Sequence, residues 1–146
     1  EWEYAARAGT TASRFWGDNP DEACQYANVA DLTAKKQWSN WTVFNCDDHY
    51  AVTSPVRSFK PNAFGLYDIL GNVWEWCADW YDGEYYAKSP VNNPPGPSSG
   101  DFRLLRGGSW GNVPTFVRGA SRLDGNPDLR SGCVGFRMVV VGAWTP

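Results

Sequence analysis

Hydrophobic and polar residues alternate in short, irregular runs along this chain, and few runs follow a helical or strand period. Residues 1–8 carry a helical pattern, and Gly9 is the kind of residue that ends a helix in the left-handed conformation. Residues 10–45 are mostly polar with scattered tryptophans, which predicts irregular segments with one short helix. Regular structure is therefore expected to be sparse in the first third of the chain.

Short elements are predicted further along. Residues 51–56 form a strand candidate, which Pro55 restricts to a sheet edge or a strand end. Residues 66–70 predict a single helical turn that Gly71 ends. Residues 73–76 then predict a strand whose two tryptophans share one face, because side chains alternate along a strand.

The last third of the chain holds the remaining strand candidates. They are residues 104–106 and 135–141, and the second ends in the apolar run 138–141. Residues 89–100 are rich in proline, which removes backbone donors and fixes φ, so this segment is predicted to be a surface loop. The pattern as a whole favours an α+β fold that is rich in loops.

The composition is that of one globular domain spanning residues 1–146, with 42% hydrophobic and 20% charged residues. Nine Trp, seven Tyr and seven Phe predict a fold held together by the packing of large aromatic rings. The 15 Gly and 10 Pro forbid long regular elements. A net charge of −3 without a Lys/Arg run gives no electrostatic footprint for nucleic acid. No apolar run approaches the roughly 18 residues of a membrane span. We therefore expect neither a nucleic-acid partner nor membrane insertion.

The four cysteines are Cys24, Cys46, Cys77 and Cys133, and their spacing matches neither a zinc ribbon nor a small disulfide scaffold. Buried thiols are the commonest interpretation of such cysteines, and one long-range disulfide remains open. The run from Cys46 to His49 invites a zinc hypothesis. A single histidine and the absence of a CxxC pair disfavour it.

Four ordered blocks of sequence, extending over nearly the whole chain, resemble the signature of the formylglycine-generating enzyme or sulfatase-modifying-factor family. They are residues 1–9, 64–76, 106–110 and 135–137. The resemblance implies a loop-rich α+β variant of the C-type lectin fold. The family's N-terminal portion would precede Glu1, so the chain is expected to lack that part.

The resemblance also implies structural calcium, which takes carboxylate and carbonyl oxygens. Its ligands would lie in two sets, Asp68, Gly71, Val73 and Glu75 in the first, and Asn28, Val29, Asp48 and Tyr50 in the second. An alternative stays open for the first set. Asp68 would then satisfy local backbone N–H groups and Glu75 would pair with an arginine.

The family's enzyme holds a copper ion with two cysteines between its Gly-Gly-Ser-aromatic block and the following Arg-x-Ala-x-Arg. In this chain that interval is residues 111–117, and it contains no cysteine. Because soft thiolates select Cu(I), no copper is expected here. A related sulfoxide synthase uses iron-binding histidines of a different domain, and His49 alone cannot form such a triad.

The segment 106–137 also resembles the variable region of diversity-generating-retroelement proteins, which display a changeable binding face on this fold. The resemblance implies a protein or peptide ligand. The candidate face residues are Asn112, Val113, Thr115, Phe116, Gly119, Ser121, Leu123, Asp124, Asn126, Leu129, Ser131 and Cys133. The arginines and tryptophans between them are expected to be structural, with Arg118, Arg122, Arg130 and Arg137 buried against carboxylates or Trp faces and Trp74, Trp76, Trp80 and Trp110 in the core.

Three functions follow from these observations. The leading one is a non-catalytic module that binds its ligand through the C-terminal loops of a calcium-stabilised scaffold. The first alternative is a formylglycine-generating oxidase of sulfatase cysteines, and the second is a structural or sensor module joined to another domain such as a kinase.

Overall fold

The computed structural model describes residues 1–140, which form a mixed α+β fold in which loops outweigh regular elements. Among these residues, no helix is long and apolar enough to cross a membrane. The helices are α1 (Trp2–Arg7), α2 (Leu32–Gln37), α3 (Tyr85–Lys88) and a 3-10 helix (Pro20–Gln25). The strands are β1 (Trp74–Trp80), β2 (Arg103–Arg106), β3 (Arg122–Gly125) and β4 (Val134–Gly135).

Helix α1 confirms the helical pattern at the start of the chain. It ends at Ala8, which adopts a left-handed φ of 48° and donates its N–H to the carbonyl of Tyr4, and the left-handed Gly9 follows. Helix α2 begins because the side chain of Asp31 accepts the N–H of Ala34 at 2.8 Å, a standard N-cap. The segment predicted to hold one short helix therefore holds two, α2 and the 3-10 helix.

The strands of residues 1–140 form one four-stranded sheet with the order β3-β2-β1-β4. Strands β1 and β2 pair antiparallel with Glu75 opposite Arg106, and β2 pairs antiparallel with β3. Strand β4 is parallel to β1, with Gly135 opposite Glu75. Glu75 therefore lies at the middle of the sheet, flanked by strands on both sides.

Three predicted elements are wrong or incomplete. Residues 51–56 form no strand, and residues 66–70 form no helical turn because Asp68 takes a left-handed φ of 54°. The last strand candidate is limited to Val134–Gly135, since residues 136–140 are not in a strand; Val141 lies outside the described residues. Strand β3 was not predicted, because residues 122–125 lack the alternation of apolar and polar side chains that indicates a strand.

The core is drawn mainly from the first half of the chain. Its buried cluster consists of Ala23, Ala27, Val29, Phe44, Leu70 and Val117. Beside it Cys24 and Cys46 form a disulfide, which settles the possibility that the sequence left open. Cys77 and Cys133 are free thiols, each half-buried.

Candidate functional site

The loop at residues 111–117 is fixed at its start by the side chain of Asn112. That side chain accepts hydrogen bonds from the backbone N–H of Ser109 at 2.9 Å and from its hydroxyl at 2.8 Å. The carbonyl of Asn112 accepts from the N–H of Ala30 at 3.4 Å. Asn112 is therefore occupied in shaping the loop, although the sequence pointed to it as a face residue.

The tip of the same loop is exposed. Phe116 keeps 48% of its surface accessible, and Thr115 before it is also exposed. The next residue, Val117, is fully buried in the core, and the carbonyl of Pro114 accepts a hydrogen bond from Arg14 at 2.7 Å. An exposed aromatic ring thus projects from a short turn that is held on both sides.

Three indole rings form a cluster beside this loop. Trp38 and Trp41 stack with their centroids 4.5 Å apart, and Trp110 lies 5.5 Å from Trp38 and 6.1 Å from Trp41. Trp110 Nε1 donates to the carbonyl of Gly132 at 3.2 Å, which ties the loop to the segment before β4. All three rings are half-buried, so Trp110 is not the core residue that was expected. Trp38 and Trp41 were not predicted as site residues; their spacing of three positions, directly after α2, was the available signal.

The candidate face residues divide by burial. Those exposed are Thr115, Phe116, Asp124, Asn126, Leu129 and Ser131, and those half-buried are Asn112, Val113, Leu123 and Cys133. Gly119 and Ser121 are buried, and the carbonyl oxygens of both accept hydrogen bonds from Arg106. Including these two residues in an exposed face was wrong, because their side-chain positions face the interior.

The arginines of the segment also divide. Arg106 is the buried one, bonded to Glu3 at 2.6 Å and to the loop carbonyls just described. Arg122 is half-buried and stacks on the rings of Tyr81 and Tyr86 instead of a tryptophan. Arg118 and Arg130 are exposed, so the expectation that they are buried is wrong.

In the first predicted calcium set, Glu75 is almost entirely buried and paired with Arg137. The Arg137 Nε donates to both Glu75 oxygens at 2.8 Å, and Trp2 Nε1 donates to Oε2 at 2.7 Å. Asp68 Oδ2 accepts from the N–H of Arg57 at 2.7 Å, while its Oδ1 is buried and has no hydrogen-bond partner among the described residues. The pairing of Glu75 with Arg137 is the one that the alternative describes, in which Glu75 pairs with an arginine.

Gly71 and Val73, the remaining members of the first set, lie where neighbouring segments of the chain come close together. Gly71 has a φ of 79°, and its N–H donates to the carbonyl of Gly107 at 3.0 Å. Val73 is half-buried against Gly135 of β4. Both residues therefore lie on the path between the Asp68 turn and β1.

In the second set, Asp48 is buried beside Asp31, an acidic residue that was not among the predicted ligands. Asp48 accepts the N–H of Val29 at 2.9 Å and that of Tyr50 at 2.8 Å, and its own N–H donates to the buried Asp31. Burial raises the pKa of Asp48 to about 7, the two N–H bonds oppose this rise, and the nearby charge of Asp31 adds to it. Asn28 is buried as well, and its Oδ1 has no hydrogen-bond partner in the described part of the chain. Two acidic groups and an unpartnered oxygen fit a hard divalent cation.

The two free thiols, Cys77 and Cys133, lie outside residues 111–117. Burial raises the pKa of the Cys77 thiol to about 11, so that this thiol stays protonated at neutral pH. The Cys24 sulphur is within 4.8 Å of carboxylate oxygens of Asp31 and Asp48, but it is held in the disulfide with Cys46.

Comparison with known proteins gives consistent matches. The model of the sulfatase-modifying factor enzyme 1-like domain matches residues 1–141. The formylglycine-generating enzyme of Streptomyces coelicolor is 40% identical over 148 residues, covering 94% of this chain and 43% of the relative. The serine/threonine-protein kinase pkn1 of Chlamydia pneumoniae is 36% identical over 140 residues, covering 94% of this chain and 19% of the kinase. The chain thus spans less than half the length of these curated relatives.

Solved structures agree with the fold. Treponema denticola variable protein 1 superposes with a TM-score of 0.76 at 34% identity, over 93% of this chain and 43% of that protein. PvdO from Pseudomonas aeruginosa superposes with a TM-score of 0.71 at 32% identity, over 92% of this chain and 48% of that protein. The chain belongs to the sulfatase-modifying factor enzyme 1-like domain family, whose blocks the sequence resembles from end to end.

Proposed function

We propose that this chain is a non-catalytic ligand-binding module that captures a protein or peptide through its C-terminal loops. The observation that carries the proposal is the loop at residues 111–117. The resemblance places the family's copper-binding cysteines in this interval, whereas here it contains no cysteine and presents Phe116 to solvent from a fixed base.

The base of the loop supports a binding role because it lowers the entropy lost on association. Asn112 closes one end of the loop, Val117 anchors the other in the core, and Arg14 holds the carbonyl between them. A side chain presented by a pre-organised turn costs less to immobilise than one on a mobile loop.

The chemistry of the exposed residues supports a protein or peptide ligand. Phe116 and Leu129 are 48% and 42% exposed, and exposed Thr115, Asn126 and Ser131 accompany them along the segment. Rigid apolar anchors among adaptable polar groups are typical of protein-binding surfaces. The structural likeness to a protein named variable protein 1 adds support for a display role.

The oxidase alternative draws support from the relatives named formylglycine-generating enzyme. It would require a copper site built without thiolates in residues 111–117. The remaining free thiols are Cys77, which is protonated at neutral pH, and Cys133, which precedes β4. The observed chemistry therefore favours the binding role.

The alternative of a sensor module receives support from a different relative. The chain matches only 19% of the length of the kinase pkn1, so in that protein the matching segment is one part of a longer chain. A binding module joined to a kinase would use the same exposed loop, and this alternative differs from the leading one in its attached partner only.

We also propose calcium as a structural ion at the second predicted set. Asn28 and Asp48 would supply side-chain oxygens, and Val29 and Tyr50 would supply carbonyl oxygens. The buried pair of Asp48 and Asp31 supports this, because two like charges out of water need a compensating cation. Chelation should lower the melting temperature and calcium should restore it.

The binding proposal is tested with a displayed random peptide library panned on the immobilised chain. Enriched peptides should lose roughly 5- to 150-fold in affinity on Phe116→Ala, because truncating a central apolar anchor costs about 1 to 3 kcal/mol. Val56→Ala is the matched control, since Val56 is also an exposed apolar residue, at 77%, and lies outside the C-terminal segment. Equal loss of affinity in both variants would show that the loop is not the binding surface. So would an unchanged affinity of Phe116→Ala at unchanged melting temperature.

A further inference from the structure

An open groove of about 700 Å³ lies on the surface beside the disulfide, away from the C-terminal segment 106–137. Its lining comes from residues 47–50 and 57–61, together with Cys24, Gln25 and Tyr67. Small-molecule sites have volumes of roughly 300 to 1,000 Å³. The groove therefore has room for a small ligand or for one large side chain of a peptide.

Three aromatic side chains, each half-buried, line this groove. They are Tyr50, Phe59 and Tyr67. The rings of Tyr50 and Phe59 meet edge to face, with their centroids 6.2 Å apart and an angle of 75° between their planes. A half-buried ring keeps part of its surface in water, and a flat apolar group of a ligand gains free energy by covering it. One part of the groove thus suits an aromatic group.

Two exposed cations stand beside these rings. The guanidinium carbon of Arg57 lies 4.7 Å from the centroid of the Tyr67 ring, and Lys60 Nζ donates to the neutral side chain of Gln25 at 2.9 Å. Within residues 1–140 neither cation lies within 4 Å of a carboxylate oxygen. Both residues also lie outside the four sequence blocks that carry the family resemblance. Two positive charges are therefore available to a ligand.

The carboxylates that line the groove are already engaged by the protein. Asp47 accepts a hydrogen bond from the hydroxyl of Thr33 at 2.7 Å and lies 3.5 Å from Lys36 Nζ and 3.1 Å from His49 Nδ1. Asp48 is only 4% exposed, and its oxygens accept two backbone N–H groups. An anion that enters the groove thus meets unpaired cations, while both nearby acidic groups have donors of their own.

We infer that this groove binds a ligand in which a phosphate group is attached to an aromatic group. The planar fork of Arg57 can donate to two phosphate oxygens, and Lys60 adds a second positive charge. A phosphate monoester carries a charge of about −1.5 to −2 at pH 7, which two cations balance better than they would the single charge of a carboxylate. Tyr50 and Phe59 provide the surface on which the aromatic group packs.

The inference is tested by calorimetric titration of the chain with phenyl phosphate, inorganic phosphate and phenol, in a calcium-free buffer of low ionic strength. Phenyl phosphate should bind roughly 2- to 12-fold tighter than inorganic phosphate, the gain expected from one aromatic pair. Phenol should bind most weakly. Added salt should weaken the binding of phenyl phosphate, because both cations are exposed. If phenyl phosphate binds no tighter than inorganic phosphate, or no tighter than phenol, the inference is wrong.

Variants assign the binding to the groove. Arg57→Gln and Lys60→Gln should each weaken the binding of phenyl phosphate by about fivefold at unchanged melting temperature. Phe59→Leu should reduce the preference for phenyl phosphate over inorganic phosphate. Lys35→Gln is the matched control, since Lys35 is an exposed lysine of α2 outside the groove. Equal weakening in Lys35→Gln would reveal a general effect of charge and would overturn the inference.

Two further probes distinguish the sources of such a phosphate, a short peptide that contains phosphotyrosine and adenosine monophosphate. Displacement of phenyl phosphate by either probe, lost in Arg57→Gln, supports the inference and identifies the source. Failure of both probes to displace it would contradict the inference. Phe116→Ala should bind phenyl phosphate like the wild type, because the groove is separate from the proposed binding loop. The two proposals can therefore fail independently.

Discussion

The backbone N–H of Asp48 donates a 2.6 Å hydrogen bond to the side chain of Asp31, which brings two buried acidic residues next to each other. Asp31 also caps α2, so neither carboxylate can turn away to solvent without breaking a backbone contact. Because these groups are close together and buried, the free energy of unfolding depends on whether Asp48 is ionised.

The metal-free protein should lose stability as the pH rises through about 7. Burial raises the pKa of Asp48 to about 7 from an ordinary 3.8, so between these values the folded chain holds a proton that the unfolded chain has released. The stabilisation is therefore fully present below about pH 3.8, falls as the pH rises from there, and is lost once the pH has risen through about 7. Urea unfolding in chelator across this range measures it.

Two variants and one ligand check the assignment. Asp48→Asn should flatten the pH dependence, whereas Asp47→Asn should not, because hydrogen bonding to Thr33 lowers the pKa of Asp47 below this window. Saturating calcium should also flatten it, since a bound cation keeps Asp48 ionised. A slope that persists in Asp48→Asn would assign the effect to another group.

Reducing the disulfide between Cys24 and Cys46 should destabilise the fold by about 3 kcal/mol, because the unfolded chain regains the freedom of a loop that spans 22 positions. The measurement compares the unfolding free energy of the Cys24→Ser, Cys46→Ser double variant with that of the wild type. Cys133→Ser is the control, because Cys133 is a free thiol. A double variant as stable as the wild type would show that the pair contributes little.

Arg106→Met should cost about 3 to 5 kcal/mol, the loss expected when one partner of a buried charge network is removed. Arg106 bonds to Glu3 and to the carbonyls of Gly119 and Ser121, and it lies over the ring of Trp2. The exposed Arg130→Met should change the unfolding free energy by less than about 0.5 kcal/mol. Denaturant unfolding of both variants tests the contrast, and equal losses would contradict it.

Helix α1 and the strand pair β1 and β2 could be predicted because their signals are local. Strand β3 could not, since Arg122–Gly125 has no alternating pattern and becomes a strand only through pairing with β2. The helical turn predicted at residues 66–70 is wrong for the opposite reason. Its local pattern favours a helix, but the side chain of Asp68 bonds to the backbone of Arg57 across a loop.

The burial of the candidate face residues could not be predicted from the sequence. Small and polar residues such as Gly119 and Ser121 are typical of surfaces, and only the contact with Arg106 reveals that their segment is enclosed. Phe116 shows the reverse case. An aromatic residue in a loop is ambiguous in sequence, and the burial of Val117 next to it decides which of the two faces solvent.

The isolated chain should bind no stoichiometric Cu(I) and should not oxidise a cysteine peptide of the sulfatase type under aerobic reducing conditions, because residues 111–117 offer no thiolate. Copper titration with a competing chelator and mass spectrometry of the peptide test this. Cys77→Ser and Cys133→Ser are the informative variants. Turnover that disappears in either one would establish the oxidase function instead.

Gly71→Ala should be among the most damaging small substitutions in the chain, at about 3 kcal/mol or more. Gly71 has a φ of 79°, and an added methyl group would overlap the carbonyl oxygen of Asn28. That oxygen accepts the N–H of Asn72 at 2.8 Å, so a shift to relieve the overlap would pull apart the segments that hold the two predicted ligand sets.

Two other glycines distinguish backbone strain from steric overlap as causes of the lost stability. Gly65 has a similar φ of 77° with nothing within 4 Å of the added carbon, so Gly65→Ala should cost only the backbone strain of about 1 to 2 kcal/mol. Gly132 has neither the left-handed φ nor a close neighbour, so Gly132→Ala should be neutral or stabilising by up to about 1 kcal/mol. Chemical unfolding of the three variants gives the ranking. If Gly71→Ala is no worse than Gly65→Ala, the two segments do not approach closely in solution, and the geometry of the second calcium site would have to be revised with them.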